Sequence, residues 1–186
     1  MGTASEGLAP SLDDVDAIRA DWQRLAPHLD TEVIDMVGRI LRAAALLTRR
    51  GDEFLAGFGL TRGEFDILSA LRRADAPQSP GTLRTVSLAS GPAVTKRLRG
   101  LEERRLVGRA PNPADGRGAL IALTPAGEDL IDRVFPRLLE LERTLLAGVP
   151  AGERAAVVHA LRAALASIES APSGPAPASL GTAVAP

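Results

Sequence analysis

The only β-hairpin pattern of this chain lies between two long stretches of helical pattern, and it restricts the fold more than any other feature. Its first strand is expected in RRLVGRA (Arg104 to Ala110), and its tip in NPADGRG. An apolar strand, ALIAL, then runs up to Thr124 and Pro125. Glycines at 116 and 118 let the tip turn sharply. The chain is therefore predicted to be mainly α-helical with one small β-hairpin.

Apolar residues recur at three- and four-residue spacing on both sides of the hairpin, which predicts amphipathic helices. Thr61 with Glu64 three residues later forms a capping-box pattern, and Thr124 followed by Pro125 marks another helix start. The predicted helices cover about 12–25, 30–58 and 60–74, two short segments on either side of LASGP (88–92), and about 124–149 and 150–170.

A helix-turn-helix that is followed at once by a hairpin is a winged helix. The predicted organisation begins with a flexible leader (1–11) and N-terminal helices (12–58), which are an extra helix and a dimerisation helix. A winged helix-turn-helix lobe (60–124), C-terminal dimerisation helices (125–170) and a disordered, Pro/Ala/Gly/Ser-rich tail (171–186) follow. The terminal helices are too apolar to stand in solvent. Packing against a second copy would bury their stripes, so a homodimer is expected.

Composition excludes several classes of protein. The chain has 45% hydrophobic residues, a net charge of −1 and no cysteine, and it shows no signal-peptide pattern or apolar run long enough to span a membrane. We expect a soluble, cytoplasmic protein with no membrane partner. His28 and His159 are the only histidines, and no catalytic or phosphate-binding motif is present. No enzyme activity, cofactor or metal site is therefore expected.

The positive charge is concentrated in the middle of the chain. Between Arg62 and Arg117 the sequence holds eleven Lys/Arg and six Asp/Glu, which favours a local surface for a polyanion. The helix expected after Ser90, which can act as its N-cap, tolerates Pro92 in its first turn and would bury an apolar seam. Its opposite face carries Thr95, Lys96 and Arg99, side chains suited to the major groove of DNA. The alternative is an ordinary solvated amphipathic helix.

The tip of the hairpin presents Arg117 between two glycines, with Asp115 two residues earlier. An arginine on a narrow projection fits the minor groove of DNA, whose negative potential attracts guanidinium groups. Asp115 can hold that arginine extended by a charge-assisted hydrogen bond. The alternatives are a hydrophilic loop with a chance pair of charges, or a winged helix that contacts only proteins.

The segment SGPAVTKRLRGLEERRLVGRAPNPADGRGALIALTPAGEDLID resembles the recognition helix and wing of the MarR family of bacterial transcription regulators. The resemblance spans about 32–168 and implies a dimeric regulator that binds a pseudo-palindromic site on double-stranded DNA. Three features depart from the family pattern: Gly91-Pro92 at the helix start, Gly100 where a charge is common, and Gly116 where a second arginine is usual.

The helix predicted over 60–74 carries Asp66 and Arg73 on one face, about 10 Å apart along the helix axis. Arg97, at the edge of the recognition helix, could point back into the protein and pair with Asp66. The alternative is a solvated polar face. Trp22, the only tryptophan, lies on the first helix at helical spacing with Ile18 and Leu25, a pattern that is also typical of core packing.

Trp22, Asp66, Arg73 and Arg97 together resemble the residues that mark the urate-responsive, PecS-like branch of the MarR family. The resemblance implies that a small aromatic anion, urate or a related purine, binds between the dimer lobe and the winged helix. Arg73 would pair with the anion and Trp22 would offer its indole. Ligand charge near Asp66 would weaken the tie to Arg97 and release a repressor from DNA. A regulator that answers a different phenolic or aromatic acid remains the alternative.

Overall fold

The computed structural model describes residues 12–86, 90–112 and 115–172, without the side chains of 86 and 115–117. Seven helices and two strands follow one another in this part of the chain. The elements are α1 (Asp14–Leu25), α2 (Val33–Ala56), α3 (Arg62–Ala74), α4 (Pro80–Val86), α5 (Gly91–Glu103), β1 (Val107–Asn112), β2 (Asp115–Leu123), α6 (Pro125–Leu145) and α7 (Arg154–Ser170). The predicted leader, 1–11, and most of the predicted tail, 173–186, lie outside the described residues.

The helix starts follow from local hydrogen bonding. Thr61 and Glu64 form the predicted capping box on α3, and the Thr124 hydroxyl accepts a 3.1 Å bond from the main-chain N–H of Gly127 at the start of α6. Asp13 caps α1 in the same way, so α1 begins two residues after the predicted Leu12. Each cap satisfies main-chain donors that the helix leaves free.

The second helix is shorter than predicted. Helix α2 begins at Val33 rather than near Asp30, and it ends at Ala56 with Gly57 as its C-cap. The Asp30 side chain instead accepts a 3.0 Å bond from the Glu32 N–H, which holds the chain in a turn before the helix. Such local side-chain bonds compete with helix formation.

The hairpin is confirmed, and a third segment extends it. Strands β1 and β2 pair antiparallel from Val107–Leu123 to Asn112–Asp115, with an irregularity between Pro111 and Asn112. Gln78, just before α4, exchanges two 2.8 Å main-chain bonds with Ile121 of β2. The base of the wing is thereby fixed to the helix-turn-helix.

The first of two compact units, Met1–Leu145, contains α1 to α6 and the hairpin. Its core is formed by apolar residues from helices α2 to α6 and from both strands. The largest fully buried side chains are Leu55, Ile67, Leu68, Leu83, Leu98, Leu101, Ile121, Ile131, Val94 and Val134. Helix α5, the predicted recognition helix, therefore contributes directly to the core, which fixes the direction of its outer face.

Helix α1 packs on α2 through one small contact and several charges. Val15 is buried against Gly38, where a Cβ atom would lie 2.7 Å from Val15 Cγ1. Arg39 of α2 bonds to Asp13 at 3.0 Å and to Asp16 at 2.7 Å. A hydrogen bond from the main-chain N–H of Asp13 lowers the pKa of Asp16, and the Arg39 guanidinium lowers it further.

The apolar stripe predicted on α2 consists of Ile34, Val37, Leu41, Ala44 and Leu47. On the single chain, Val37 is 43% and Leu41 65% exposed. The second unit, Leu146–Pro186, contains α7, which buries none of its residues. Its apolar stripe includes Leu161 and Ile168, which are 50% and 68% exposed.

No helix in the described ranges combines the length and the apolar character of a membrane span. Within the same ranges, no group of three or more acidic, His or Cys residues could hold a metal ion.

Candidate nucleic-acid interface and effector site

Helix α5 divides into a buried and an exposed face, as its spacing predicts. Val94, Leu98 and Leu101 are 2%, 1% and 0% exposed and pack into the core. The opposite face carries three exposed side chains, Thr95, Lys96 and Arg99. The helix therefore presents two cations and a hydroxyl to solvent from a rigidly packed back, which suits groove binding.

The start of α5 differs from the prediction in one bond. Ser90 is the N-cap residue and its carbonyl accepts a 3.0 Å bond from Val94, but its hydroxyl makes no capping bond. Pro92 at the second helical position has no N–H to donate, which removes one of the two usual partners of a cap side chain. Ser90 and Pro92 are both exposed at this end of the helix.

Thr95 uses its hydroxyl proton within the helix. Its Oγ1 donates a 3.0 Å bond to the carbonyl of Gly91, one turn earlier. The methyl group and the oxygen lone pairs remain for an outside partner. A threonine in this state can contact a thymine methyl or accept a bond from a base amino group.

Asp115 and Arg117 lie in β2, next to the tip of the wing. Asp115 pairs with Asn112 across the hairpin, but the side chains of both predicted tip residues lie outside the described residues. The ion pair predicted between them therefore stays a prediction.

An ion pair that the sequence analysis missed joins the wing to the recognition helix. Arg109 of β1 donates a 2.9 Å bond to Glu102 at the end of α5. The pair is seven residues apart and spans a turn, so helical or strand spacing gives no signal for it. Together with the Gln78–Ile121 bonds, it holds the wing at a fixed angle to α5.

Asp66 lies half-buried on α3 among positive charges. Burial raises the pKa of Asp66 above its usual value, while the guanidinium groups of Arg62, Arg97 and Arg73 act in the opposite direction. Asp52 on α2 adds a smaller effect that raises this pKa. A carboxylate in this position responds to any change in the charges around it.

The predicted direct pairing of Asp66 with Arg97 is wrong. Within the described part of the chain, the two side chains form no ion pair. Arg97 does point back toward α3, as expected, but its guanidinium lies over Gly63, three residues before Asp66. Its charge therefore acts on Asp66 through space rather than through a hydrogen bond.

Arg73 lies exposed at the far end of the same helix. Its Nε donates a 3.3 Å bond to the main-chain carbonyl of Ser69, one turn earlier in α3. The side chain lines an open cavity of about 270 Å³, which Phe135 and Pro136 of α6 also line. Its neighbour Arg72 is engaged differently, with 2.8 and 2.9 Å bonds to both carboxylate oxygens of Asp132. Of these two arginines, Arg73 keeps its terminal nitrogens open to an anion.

The four predicted effector residues do not share one cavity on the single chain. Arg97 lines an open cavity of about 600 Å³ between α3 and α5, which Asp52, Arg62 and Lys96 also line. Trp22 lines neither this cavity nor the one beside Arg73, and its side chain is 48% exposed on α1. Core packing of Trp22, the alternative interpretation, does not occur in the isolated chain.

Arg62 is a charged residue that the sequence analysis did not assign to the effector site. It exerts the largest of the charge effects on Asp66, lies 3.7 Å from Asp52 and sits 5.8 Å from the ring of Phe65. Its position at the first turn of α3, one helical turn before Asp66, was the available signal.

The chain is similar in sequence to known proteins. The family model described as MarR family matches residues 58–118. The chain is similar to the HTH-type transcriptional regulator PecS of Dickeya dadantii, with 34% identity over 158 residues that cover 84% of this chain and 93% of PecS.

Two solved structures are similar over most of their length. A mutant of Escherichia coli MarR in complex with operator DNA has a TM-score of 0.62 and 26% identity, covering 77% of this chain and 97% of that one. Bordetella bronchiseptica BpsR, whose DNA binding is regulated by 6-hydroxynicotinic acid, has a TM-score of 0.58 and 27% identity, covering 70% and 98%.

Proposed function

Because the chain belongs to the MarR family of DNA-binding transcriptional regulators, we propose that it is a dimeric repressor released from its operator by a small anionic aromatic ligand, urate or a related purine. Its relatives are named transcriptional regulators, which makes it a regulator rather than an enzyme. The observation that carries the DNA-binding part is the division of α5 into a core face and a cationic outer face.

In this proposal the outer face of α5 enters the major groove. Arg99 and Lys96 reach guanine edges or phosphates, and Thr95 contacts a base edge. Arg117 at the wing tip enters the neighbouring minor groove, with Asp115 holding it extended. The Glu102–Arg109 pair and the Gln78–Ile121 bonds support this by fixing the wing base relative to α5.

The exposed apolar faces support assembly into a dimer. Two copies would bury the α2 and α7 stripes, in which Leu41 and Leu161 are 65% and 50% exposed. A twofold dimer presents two copies of α5, so it would read a pseudo-palindrome with half-sites about 34–36 Å apart. Sedimentation of the purified chain at micromolar concentration should therefore give the mass of two copies.

A salt-dependent binding measurement tests the DNA-binding part. A duplex selected by the protein from a random-sequence pool would be titrated at several salt concentrations. Phosphate neutralisation predicts a steep linear fall of log affinity with log salt. Arg50→Ala on α2, outside the proposed interface, serves as a charge-matched control for Arg99→Ala. No selected duplex, or a slope near zero, would refute DNA binding.

The effector part rests on the charges of α3. An anion paired with Arg73 would add negative charge near Asp66, whose pKa is already raised by burial. The added charge would raise the pKa of Asp66 further and favour its neutral, protonated form. The neutral carboxyl no longer attracts Arg97 and Arg62, so α5 would shift relative to its partner copy. The ligand must prefer the non-binding arrangement by a few kcal/mol to empty the operator.

Two neighbouring arginines give a matched test of the effector part. Arg73→Ala should abolish release by urate while it leaves operator affinity unchanged, because it removes the proposed anion partner. Arg72→Ala removes the same charge one residue away, but from a side chain already bonded to Asp132, so release should persist. Trp22 fluorescence would follow urate binding directly. Undiminished release in the Arg73 variant removes this site.

A different aromatic acid is the second candidate for the ligand. The similarity to BpsR, which responds to 6-hydroxynicotinic acid, favours this possibility. A panel of purines, hydroxynicotinic acids and phenolic acids would be titrated against the protein–DNA complex. Release by one of the acids without release by urate would replace the purine but keep the regulator.

A further inference from the structure

Two buried glycines in the first unit lie where an arginine from a later helix crosses them. Gly51 is in α2 and Gly63 in α3, and both are among the buried residues of their helices. Glycine is a poorer helix residue than alanine, because it loses more backbone freedom on folding. A glycine inside a helix therefore needs a packing reason.

The Arg97 side chain supplies that reason at Gly63. A Cβ atom on Gly63 would overlap Cζ and Nε of Arg97 and lie 2.7 Å from its Nη1. The guanidinium of the recognition helix thus rests directly on the backbone of α3. Any larger residue at 63 displaces it, although the displaced atoms belong to the end of a flexible side chain, so the fold can accommodate the change.

Arg62 occupies the same kind of seat on α2. A Cβ atom on Gly51 would overlap Nη2 of Arg62 and lie 3.2 Å from its Cζ. The neighbouring residue of α2, Asp52, lies 3.7 Å from Arg62 and adds charge to the contact. Since Arg62 and Gly63 are adjacent in sequence, the two seats join three helices in series.

We propose that Gly51 and Gly63 are positioning residues, which hold the recognition helix in register with α2 by seating Arg62 and Arg97. The inference rests on the proposed function, because it supplies the physical link between α2, the expected dimer helix, and the DNA-reading face of α5. Displacing either arginine loosens the link without touching a DNA-contacting side chain.

A double-mutant cycle on operator affinity tests the seat at Gly63. In the absence of ligand, Gly63→Ala should weaken binding to the selected duplex by about threefold to thirtyfold, the range typical of coupling mutations. In the Arg97→Ala background, the same change should have no further effect beyond about twofold. Equal weakening in both backgrounds, or none in the parent, overturns the proposal.

Gly100→Ala provides the matched control on α5. A Cβ atom there meets only Glu64 Oε1 at 3.4 Å, an ordinary contact. The substitution is the same Gly→Ala change within a helix, although Gly63 lies in the first turn of α3 and Gly100 near the end of α5. It leaves Arg97 seated. Its operator affinity should equal that of the parent within about twofold. A Gly100 variant as weak as the Gly63 variant would show that helix stiffness, not seating, is measured.

A titration that needs no DNA tests both seats independently. Because Arg62 and Arg97 each lower the pKa of Asp66, displacing either one should raise that pKa. Carboxyl NMR of Asp66 should show an upward shift in Gly51→Ala and in Gly63→Ala, and none in Gly100→Ala. A parental Asp66 pKa in both seat variants overturns the proposal, and a parental value in Gly51→Ala alone removes the link to α2.

The two measurements separate failure of the seats from failure of the proposed function. If the protein selects no duplex, DNA binding is refuted, and the Asp66 titration still decides whether the glycines seat the arginines. If the duplex binds but the cycle and the titration show no coupling, the regulator stands and the positioning role falls.

Discussion

The two faces of α5 should be separable by substitutions at neighbouring positions, Leu98 and Arg99. Leu98 is 1% exposed and packs in the core, whereas Arg99 lies exposed on the outer face. Truncating a fully buried leucine removes its transfer energy and leaves a cavity, which destabilises proteins by about 2–5 kcal/mol. Truncating an exposed arginine changes stability by no more than about 0.5 kcal/mol.

The effects on DNA binding should run in the opposite order for the protein that remains folded. Arg99→Ala should weaken operator binding by about 1–3 kcal/mol if the arginine reads a guanine, with relaxed specificity at one position. If it contacts a phosphate, binding should weaken on all sequences, and the salt slope should fall by about one. Folded Leu98→Ala should keep the parental salt slope, since its outer face is unchanged.

Urea unfolding and fluorescence anisotropy with a labelled duplex would measure both quantities. The chain concentration must be the same in every unfolding experiment, because a dimer's apparent stability depends on it. Parental stability in Leu98→Ala would contradict the packing of α5 into the core. Parental affinity and salt slope in Arg99→Ala would contradict the assignment of the outer face to DNA.

Three further predictions concern stability. Gly127→Ala should destabilise the protein by about 1–3 kcal/mol in urea unfolding, because the added Cβ would overlap the main-chain oxygen of Leu106. Thr61→Ala should reduce the free energy of unfolding by about 0.5–2 kcal/mol, because it removes the cap of α3. An unchanged free energy of unfolding in this variant would contradict the role of the cap. Burial raises the pKa of Asp66, so the folded protein keeps the carboxyl proton of Asp66 to a higher pH than the unfolded chain does. The free energy of unfolding should therefore fall as the pH rises from the ordinary pKa of an aspartate to the raised pKa of Asp66. Asp66→Asn should lack this fall when unfolding is measured across the acidic range.

The sequence predicted the parts of the structure that depend on neighbours in the chain. The capping box of Thr61 and Glu64, the hairpin before Thr124 and the buried seam of α5 all join residues that are close along the chain. The local signal failed at Ser90, where Pro92 removes a donor that the cap rule assumes. Even there the deviation has a local cause.

Burial of the long apolar stripes could not be predicted in the same way. Val37 and Leu41 of α2 form the predicted stripe, yet they are exposed on the single chain. Periodicity says that a helix face avoids water, but it does not say whether the covering surface belongs to the same chain or to another copy. That distinction requires the shape of the whole molecule.

The candidate effector site shows the same limit at the level of single contacts. Spacing placed Asp66, Arg73 and Arg97 on suitable faces, but a face gives only an angle about a helix axis. The distance between two helices depends on the side chains at their crossing. Because residue 63 is glycine, the Arg97 guanidinium can rest directly on the backbone of α3, where it forms no ion pair with Asp66. The residues without side chains therefore decide which charges meet, and no charge pattern in the sequence can reveal them.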